Sequence, residues 1–212
     1  SHAFDPKHGW YTEWPRIRRI AKDELMMDMH GMFYDFPKGF SAVNTGGIKP
    51  IASHLRYIPD FCEWNGRLVL AGDDTSIIQN PLAGKAQSNL WFGKVDDLKN
   101  FGPASAWSGV WMGDAVKSDT PSVPFLISGF AKRVVHLTAD AQVVFTLEID
   151  VKGDGQWETL KQITVPGGGY KYHIFADDFK ANWIRVRTNK DCTATAYFHY
   201  ASPAKAFGDD KA

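Results

Sequence analysis

Val143-Val-Phe-Thr-Leu-Glu-Ile-Asp150 and Trp157-Glu-Thr-Leu-Lys-Gln-Ile-Thr-Val165 are runs of apolar and β-branched residues, and Lys152-Gly-Asp-Gly155 lies between them. Runs of this kind predict strands, and the glycine-containing turn predicts that they form a hairpin. Two similar runs precede them from residue 123 onward, so residues 123–165 are predicted to hold four consecutive antiparallel strands. This stretch indicates an all-β fold.

The rest of the chain follows the same pattern. Asn65-Gly66 separates two apolar runs, which is a strong signal for a hairpin. In all, about twelve short strands with turn signals every ~8–15 residues are predicted, with almost no helix. Such a pattern is typical of a β-sandwich or a β-propeller.

The spacing favours a propeller, because residues 123–165 match the size of one four-stranded blade. We predict about four blades over residues 1–202, which could be a small ring or half of a larger one, and a C-terminal tail over 203–212. The alternative is a β-sandwich over 123–200 behind an irregular β-domain. The predicted blade-like units lie roughly at 11–57, 58–122, 123–166 and 167–202.

Charge and hydropathy exclude several classes of protein. Acidic and basic residues balance at 24 each, so no net field attracts nucleic acid or a membrane surface. No run of ~18 apolar residues predicts a membrane span, and no signal peptide is recognisable. Cys62 and Cys192 are expected to be free, buried thiols. Aromatic residues make up 14 % of the chain, with eight tryptophans, a composition that suits strand packing and also sugar binding.

The chain begins Ser1-His-Ala-Phe4 rather than with methionine. We interpret this as a lost leader or as a piece of a longer polypeptide, although Ser-His could also be a cloning remnant. The missing N-terminal half of the same polypeptide is therefore one expected partner.

Polar groups crowd two segments that otherwise resemble buried strands, Asp28-Met-His-Gly-Met-Phe-Tyr-Asp-Phe36 and Ser53-His-Leu-Arg-Tyr-Ile-Pro-Asp60. Histidine, arginine and tyrosine rarely occur among methionine and phenylalanine in a buried strand unless they have a structural or functional role there. We therefore predict a polar site here. The structural alternative is that the histidines bind backbone groups and that the arginine forms an ion pair with Asp60 or Glu63.

Several runs resemble the later half of large bacterial β-propeller proteins of polysaccharide-utilisation systems. They are Tyr11–Arg16, Met27–Tyr34, Ile58–Phe61 with Trp64–Val69, and Gln87–Gly93. The characterised relatives are propeller enzymes that cleave rhamnose–glucuronic acid linkages, as hydrolases or lyases, and ulvan lyases. The resemblance implies part of a seven-bladed propeller, an acidic glycan as substrate, and an extracellular or periplasmic location.

Such a lyase must neutralise a uronate, remove a proton and protonate the leaving oxygen. Arg56 could bind the carboxylate bidentately, His30 or His54 could be the base, and Tyr34 or Tyr57 could be the acid. Trp107 and Trp111 lie four residues apart in a Gly/Ser-rich segment, which favours sugar stacking, although both could equally be core residues. Tyr57 and Trp91 complete the predicted substrate-binding set.

No metal site is assigned and no cofactor is expected. His30 and His54 with an acid could bind zinc, but no close-spaced ligand motif supports this. Asp150–Gln156 faintly resembles a calcium loop, but it lacks the alternating acids and closing glutamate, so we predict a hairpin turn there.

Two functions remain open: an enzyme, lyase or glycoside hydrolase, acting on an acidic polysaccharide, and a non-catalytic glycan-binding propeller module. In the glycan-binding module, the function depends on Trp91, Trp107 and Trp111 and does not depend on the histidines. A purely structural assembly module is a third reading.

Overall fold

A computed structural model describes residues 15–54, 57–73 and 89–202. Within these ranges the chain is all-β, as predicted, with four antiparallel sheets and no closed barrel. A 3₁₀ helix spans Val95–Asn100, and no described helix is long and apolar enough to cross a bilayer. The strands are β1 Arg16–Ala21, β2 Glu24–Met29, β3 Met32–Phe36, β4 Lys49–Ser53, β5 Tyr57–Trp64, β6 Arg67–Asp73, β7 Asn89–Gly93, β8 Ala106–Val116, β9 Phe125–Leu126, β10 Lys132–Ala139, β11 Val143–Asp150, β12 Glu158–Val165, β13 Tyr170–Ile174, β14 Trp183–Thr188 and β15 Cys192–Ala201.

The chain divides into two compact units. The first unit contains residues up to 38 together with 49–104. The second contains residues 39–48 and the chain from 105 onward. The described strands β1–β7 therefore belong to the first unit and β8–β15 to the second.

The first unit contains two sheets whose strands follow chain order, β1-β2-β3-β4 and β5-β6-β7. Two of its hairpin turns have pairs of residues with positive φ. His30 and Gly31 have φ of 53° and 73°, and Asn65 and Gly66 have φ of 50° and 72°. Paired positive φ values are typical of the two-residue turn that matches strand twist. The predicted Asn-Gly hairpin is confirmed, and a second one divides the run that looked like a single strand from 28 to 36.

A shared apolar core holds the first unit together. Phe33 is fully buried and contacts Phe61 edge-on, with ring centroids 6.5 Å apart. Burying such a side chain contributes about 1.5–3 kcal/mol. The core joins strands of both sheets to the 3₁₀ helix, and its fully or nearly buried members are Ile20, Met26, Phe33, Ala52, Ile58, Phe61, Leu68, Leu70 and Leu98.

The second unit does not follow chain order. Its sheets run β13-β10-β15-β8 and β12-β11-β14-β9. The four predicted runs of 123–165 are strands, but β10 belongs to one sheet and β9, β11 and β12 to the other, so the stretch does not form one propeller blade. The reason is physical: alternation identifies a strand, whereas the pairing partner depends on distant residues. The number of blades predicted for the whole chain is not confirmed.

The two sheets of the second unit pack face to face. Trp111 of β8 contacts Phe145 of β11, and Phe125 of β9 stacks on Phe198 of β15 with centroids 5.1 Å apart. Alternate residues point into this core, which is the pattern expected of a sandwich. The alternative prediction of a β-sandwich over 123–200 agrees with this arrangement, and β8 adds a strand from before residue 123.

The β11–β12 turn is held by one carboxylate. Asp150 is 1 % exposed and accepts backbone hydrogen bonds from Gly153 and Gly155 at 2.7 and 2.8 Å. Its oxygens are therefore used by the turn itself. The predicted hairpin turn is confirmed at the segment that faintly resembled a calcium loop.

Neither cysteine forms a disulfide. Cys62 is exposed and Cys192 is half-buried, so the prediction of free thiols is confirmed while that of burial is wrong for Cys62.

Candidate functional site

The histidine predicted at residue 54 lies in a closed environment. His54 Nε2 is 2.9 Å from Asp28 Oδ1, and the two side chains are 3 % and 0 % exposed. The His54 ring also stacks on Phe33 with centroids 4.4 Å apart, and its backbone N–H donates to Gly31. The pair joins β2 to the residue after β4 and is sealed from solvent, which fits the structural reading of this histidine.

Tyr34 lies beside the buried carboxylate, and His30 does not. Burial, and secondarily the charge of Asp28, raise the pKa of Tyr34 to about 12. This phenol therefore stays protonated at neutral pH. His30 is exposed at the β2–β3 turn. The structure thus brings Tyr34 and His54 to the same carboxylate, while His30 lies on the surface.

The remaining residues of the first predicted site are partly outside the described chain. Arg56 lies outside the described residues, as does the side chain of Tyr57. Asp60, one proposed partner of Arg56, binds Arg18 at 3.0 Å. No catalytic role of these residues is tested by the geometry, and the roles stay predictions.

The three tryptophans predicted to bind sugar have different environments. Trp91 is partly buried against the first unit's core and contacts Phe101 edge-on. Trp111 is 9 % exposed and packs on Phe145, so it is a core residue. Trp107 is 65 % exposed on β8. Of the three, Trp107 alone has the exposure that sugar stacking needs.

Trp107 belongs to a larger surface, which we call the aromatic-histidine face. It is the outward side of the sheet β13-β10-β15-β8, and strand register places its members in three rows across the four strands. Alternation puts every second residue of each strand on this side. The rows are Ile174, Val134, His199, Trp107; Tyr172, His136, Tyr197, Gly109; and Tyr170, Thr138, Thr195, Met112.

Much of this face is open to solvent. Tyr170 and Tyr172 are 53 % and 58 % exposed, and Ile174 is 64 % exposed. Contiguous exposed apolar surface on a folded domain commonly marks a binding site. The edge strand β13 and the opposite strand β8 carry the most exposed rings, so the surface extends over the full width of the sheet.

Ring contacts hold the centre of the face in place. His136 Nδ1 is 2.6 Å from the Tyr170 hydroxyl, and the two rings are nearly parallel. The His136 and His199 rings meet at right angles with centroids 5.1 Å apart, and Tyr197 contacts His199 at the same distance. Rings fixed by their neighbours lose little conformational entropy when a ligand binds.

Two further features keep the centre neutral and flat. Partial burial, and secondarily His199, lower the pKa of His136 below its ordinary value. A β-carbon at Gly109 would lie 3.1 Å from Cδ2 of Tyr197 and 2.9 Å from the Trp111 carbonyl oxygen. The glycine therefore leaves room for the Tyr197 ring to lie over β8.

The three rows of the aromatic-histidine face contain aromatic rings, but they contain neither charged side chains nor a cluster of metal-ligating side chains. None of its twelve register positions is Asp, Glu, Lys or Arg. Within the described ranges, no group of three or more histidine, cysteine or acidic side chains could hold a metal ion. The arrangement suits stacking and hydrogen bonding with an uncharged ligand.

Sequence reasoning missed all of this face except Trp107. A signal was present, since Tyr170, Tyr172 and Ile174 alternate along one run and Tyr197 and His199 alternate along another. The inward residues of β15 are also aromatic, including Phe198 and Tyr200. Both sides of the strand therefore look apolar, and the sequence does not distinguish them.

No protein-family model and no curated protein matches the chain. Solved structures match it at low similarity. The Tobacco streak virus coat protein is 12 % identical, covering 51 % of this chain and 94 % of that chain, with a TM-score of 0.31. A glycoside hydrolase family 43 arabinoxylan arabinofuranohydrolase from Bacillus subtilis is 8 % identical, covering 91 % and 54 %, with a TM-score of 0.30. A family 29 carbohydrate-binding module is 11 % identical, covering 79 % and 94 %, with a TM-score of 0.25.

At these TM-scores the likenesses carry no argument about fold or function. The resemblance to propeller enzymes of polysaccharide utilisation is not supported by a family match and stays a prediction.

Proposed function

We propose that this chain binds a glycan through the aromatic-histidine face of its second unit, without catalysis at that face. The observation that supports the proposal is the exposure of several aromatic rings in three rows of one sheet whose positions carry no charged residue. Sugar rings present flat C–H surfaces, which stack on aromatic faces, and hydroxyl edges, which hydrogen-bond to phenol and imidazole groups. A polysaccharide ligand would be met outside the cytoplasm.

The geometry favours binding over the predicted lyase or hydrolase chemistry. The histidine and carboxylate that best resemble a catalytic pair, His54 and Asp28, are sealed from solvent. A base must come within hydrogen-bond reach of the proton that it removes, and a polymer cannot reach a buried pair. On the exposed side of the sheet, the described cation Lys132 of β10 is bound by Asp177, and elimination requires a cation that neutralises the uronate.

Affinity electrophoresis and calorimetry against a panel of soluble glycans test the proposal. We expect at least one glycan to bind, and Trp107→Ala and Tyr172→Ala each to weaken it about tenfold or more, as for stacked anchor residues. Trp64→Ala is the matched control, because Trp64 is an equally exposed tryptophan, 57 % exposed, in the first unit. Equal losses for Trp64→Ala and Trp107→Ala would contradict the assignment of the face.

The same incubations test the enzyme prediction. A lyase would release unsaturated products that absorb in the ultraviolet, and a hydrolase would release reducing ends. We expect neither product to accumulate in the presence of bound glycan. Turnover that is lost in His54→Ala and kept in Trp107→Ala would move the active site to the first unit and overturn the proposal.

A further inference from the structure

We propose that the ligand of the aromatic-histidine face is a neutral oligosaccharide of about three sugar units lying across the strands, and that carboxylated glycans are rejected. This inference rests on the proposed function and specifies its ligand. It differs from the acidic polysaccharide that the sequence resemblance implied.

The length follows from where the most exposed rings lie. Tyr172 is on the edge strand β13 and Trp107 is on β8 at the other side of the sheet. The two strands are three inter-strand spacings apart, about 14 Å. A single sugar cannot reach both rings, whereas a short oligosaccharide can. The central rings of His136 and Tyr197 lie between them by register.

The direction across the strands follows from the same register. The row Tyr172, His136, Tyr197 ends at Gly109, whose missing side chain leaves room for the Tyr197 ring and the Met112 side chain over β8. Along the strands the surface changes, because Thr138 and Thr195 occupy the central positions of the next row. Rings also neighbour one another along β13 and along β15, but the row Tyr172, His136, Tyr197 is the one that continues over three strands.

The charge of the ligand follows from the groups around the two histidines. On β13, Lys171 lies opposite Leu137 in the strand register, and the Leu137 side chain points into the core. Lys171 is therefore not on the outward side of the sheet. Among the described strand positions on the outward side of this sheet, Lys132 of β10, opposite Ala201, is the lysine or arginine nearest the rows, and Asp177 binds its ammonium group. A uronate would therefore lose water without gaining a cation that is not already paired. Burying an unpaired charge is unfavourable.

Acidic side chains lie at the margins of the face and disfavour an anion further. Asp140, at the end of β10, accepts a hydrogen bond from the Thr193 backbone, and Asp114 on β8 accepts one from the Met112 backbone. The hydrogen bonds from Thr193 lower the pKa of Asp140, so this carboxylate stays ionised at neutral pH. His136, whose pKa partial burial and then His199 lower, is the group that could reverse the preference by gaining a proton at acidic pH.

Calorimetry with matched oligosaccharides tests the inference. The probes are a neutral monosaccharide, a neutral trisaccharide and a trisaccharide carrying one uronate, taken from the glycan type that binds in the panel. At about pH 7.5 we expect the neutral trisaccharide to bind at least tenfold more tightly than either other probe. On acidification toward about pH 5 the penalty on the uronate should shrink as His136 gains a proton, and less so in His136→Gln.

Variants separate length from charge. Trp107→Ala should weaken the trisaccharide by a larger factor than the monosaccharide, because the trisaccharide alone spans from Trp107 to Tyr172, while Trp64→Ala should affect neither. Equal or tighter binding of the uronate probe at about pH 7.5, or equal binding of mono- and trisaccharide, would overturn the inference and leave the proposed function standing. Binding of no saccharide at all would overturn both.

Discussion

Two regions of this molecule contain histidines in opposite environments, one buried and one open to solvent. In the first unit, His54 is paired with Asp28 and both side chains are buried. In the second unit, His136 is paired with Tyr170 on an open sheet face beside His199. His54 is held by a buried carboxylate, and no ligand can reach it. His136 is held by neighbouring rings on a face that is open to solvent. The comparison teaches that burial and partner, and not residue type, distinguish a structural histidine from one that can meet a ligand.

The largest expected effect concerns the buried pair. Asp28→Ala removes the partner of His54 inside the first unit, and leaving a buried hydrogen-bonding group without its partner costs about 1–3 kcal/mol, and more where a charged group is involved. Denaturant unfolding should show this loss in the free energy of unfolding. Asp60→Ala is the control in the same unit, because its pair with Arg18 is about half exposed and should contribute about 0–1 kcal/mol. Similar losses for both variants would mean that the buried pair is not a structural contact.

Alkaline titration tests the phenol beside this pair. The unfolded tyrosine titrates near 10.0, and burial with the Asp28 charge raises the pKa of Tyr34 to about 12. Between these two values the unfolded state loses its proton first, so stability falls as pH rises, by on the order of 2 kcal/mol. Tyr34→Phe should lack this fall in denaturant unfolding at high pH. A wild-type protein with flat stability over that window would contradict the environment described for Tyr34.

Gly109→Ala probes the opposite region. The new methyl group would lie within 3.1 Å of the Tyr197 ring and closer still to the Trp111 carbonyl oxygen, so overpacking should cost about 1–2 kcal/mol. Glycan affinity should fall as well, because the Tyr197 ring is displaced. Thr138→Ala on the same face is the control, with a stability change within about 0.5 kcal/mol. An unchanged melting temperature in Gly109→Ala would show that the face is more adaptable than these contacts suggest.

The smallest expected effect is the pH dependence of the face itself. Partial burial, and then His199, lower the pKa of His136 below the ordinary 6.5. The unfolded chain therefore binds a proton more readily, and stability falls as pH drops through about 6.5 toward the folded value. Thermal melts of His136→Gln should show a shallower loss than the wild type on acidification. Identical slopes would mean that His136 is as solvated in the folded protein as in the unfolded one.

Much of the local structure could be predicted from the sequence. The Asn65-Gly66 hairpin and the turn after Asp150 follow from residues that adopt positive φ or cap a turn. His30-Gly31 is the same kind of turn, but a histidine at its first position hid it within an apolar run. Pro50 lies in β4, which is an edge strand, where a proline is tolerated.

The candidate site could be predicted only in part. Trp107 was identified from its setting in a Gly/Ser-rich segment, while Trp111, with the same setting, faces the core. The two differ because register shifts between β8 and β15 interrupt simple alternation. Such bulges depend on the partner strand, and the partner is more than 80 residues away by the register of Trp107 with His199.

The sequence by itself determined the strands, the tight turns, the all-β class and the absence of net charge, because each depends on neighbouring residues or on composition. The tertiary structure alone decided which strands pair, and hence that β10 and β13 bring His136 to Tyr170. It also decided that His54 is sealed while His199 is open. The physical reason is that pairing and burial depend on contacts between residues far apart in the chain, where local propensity has no influence.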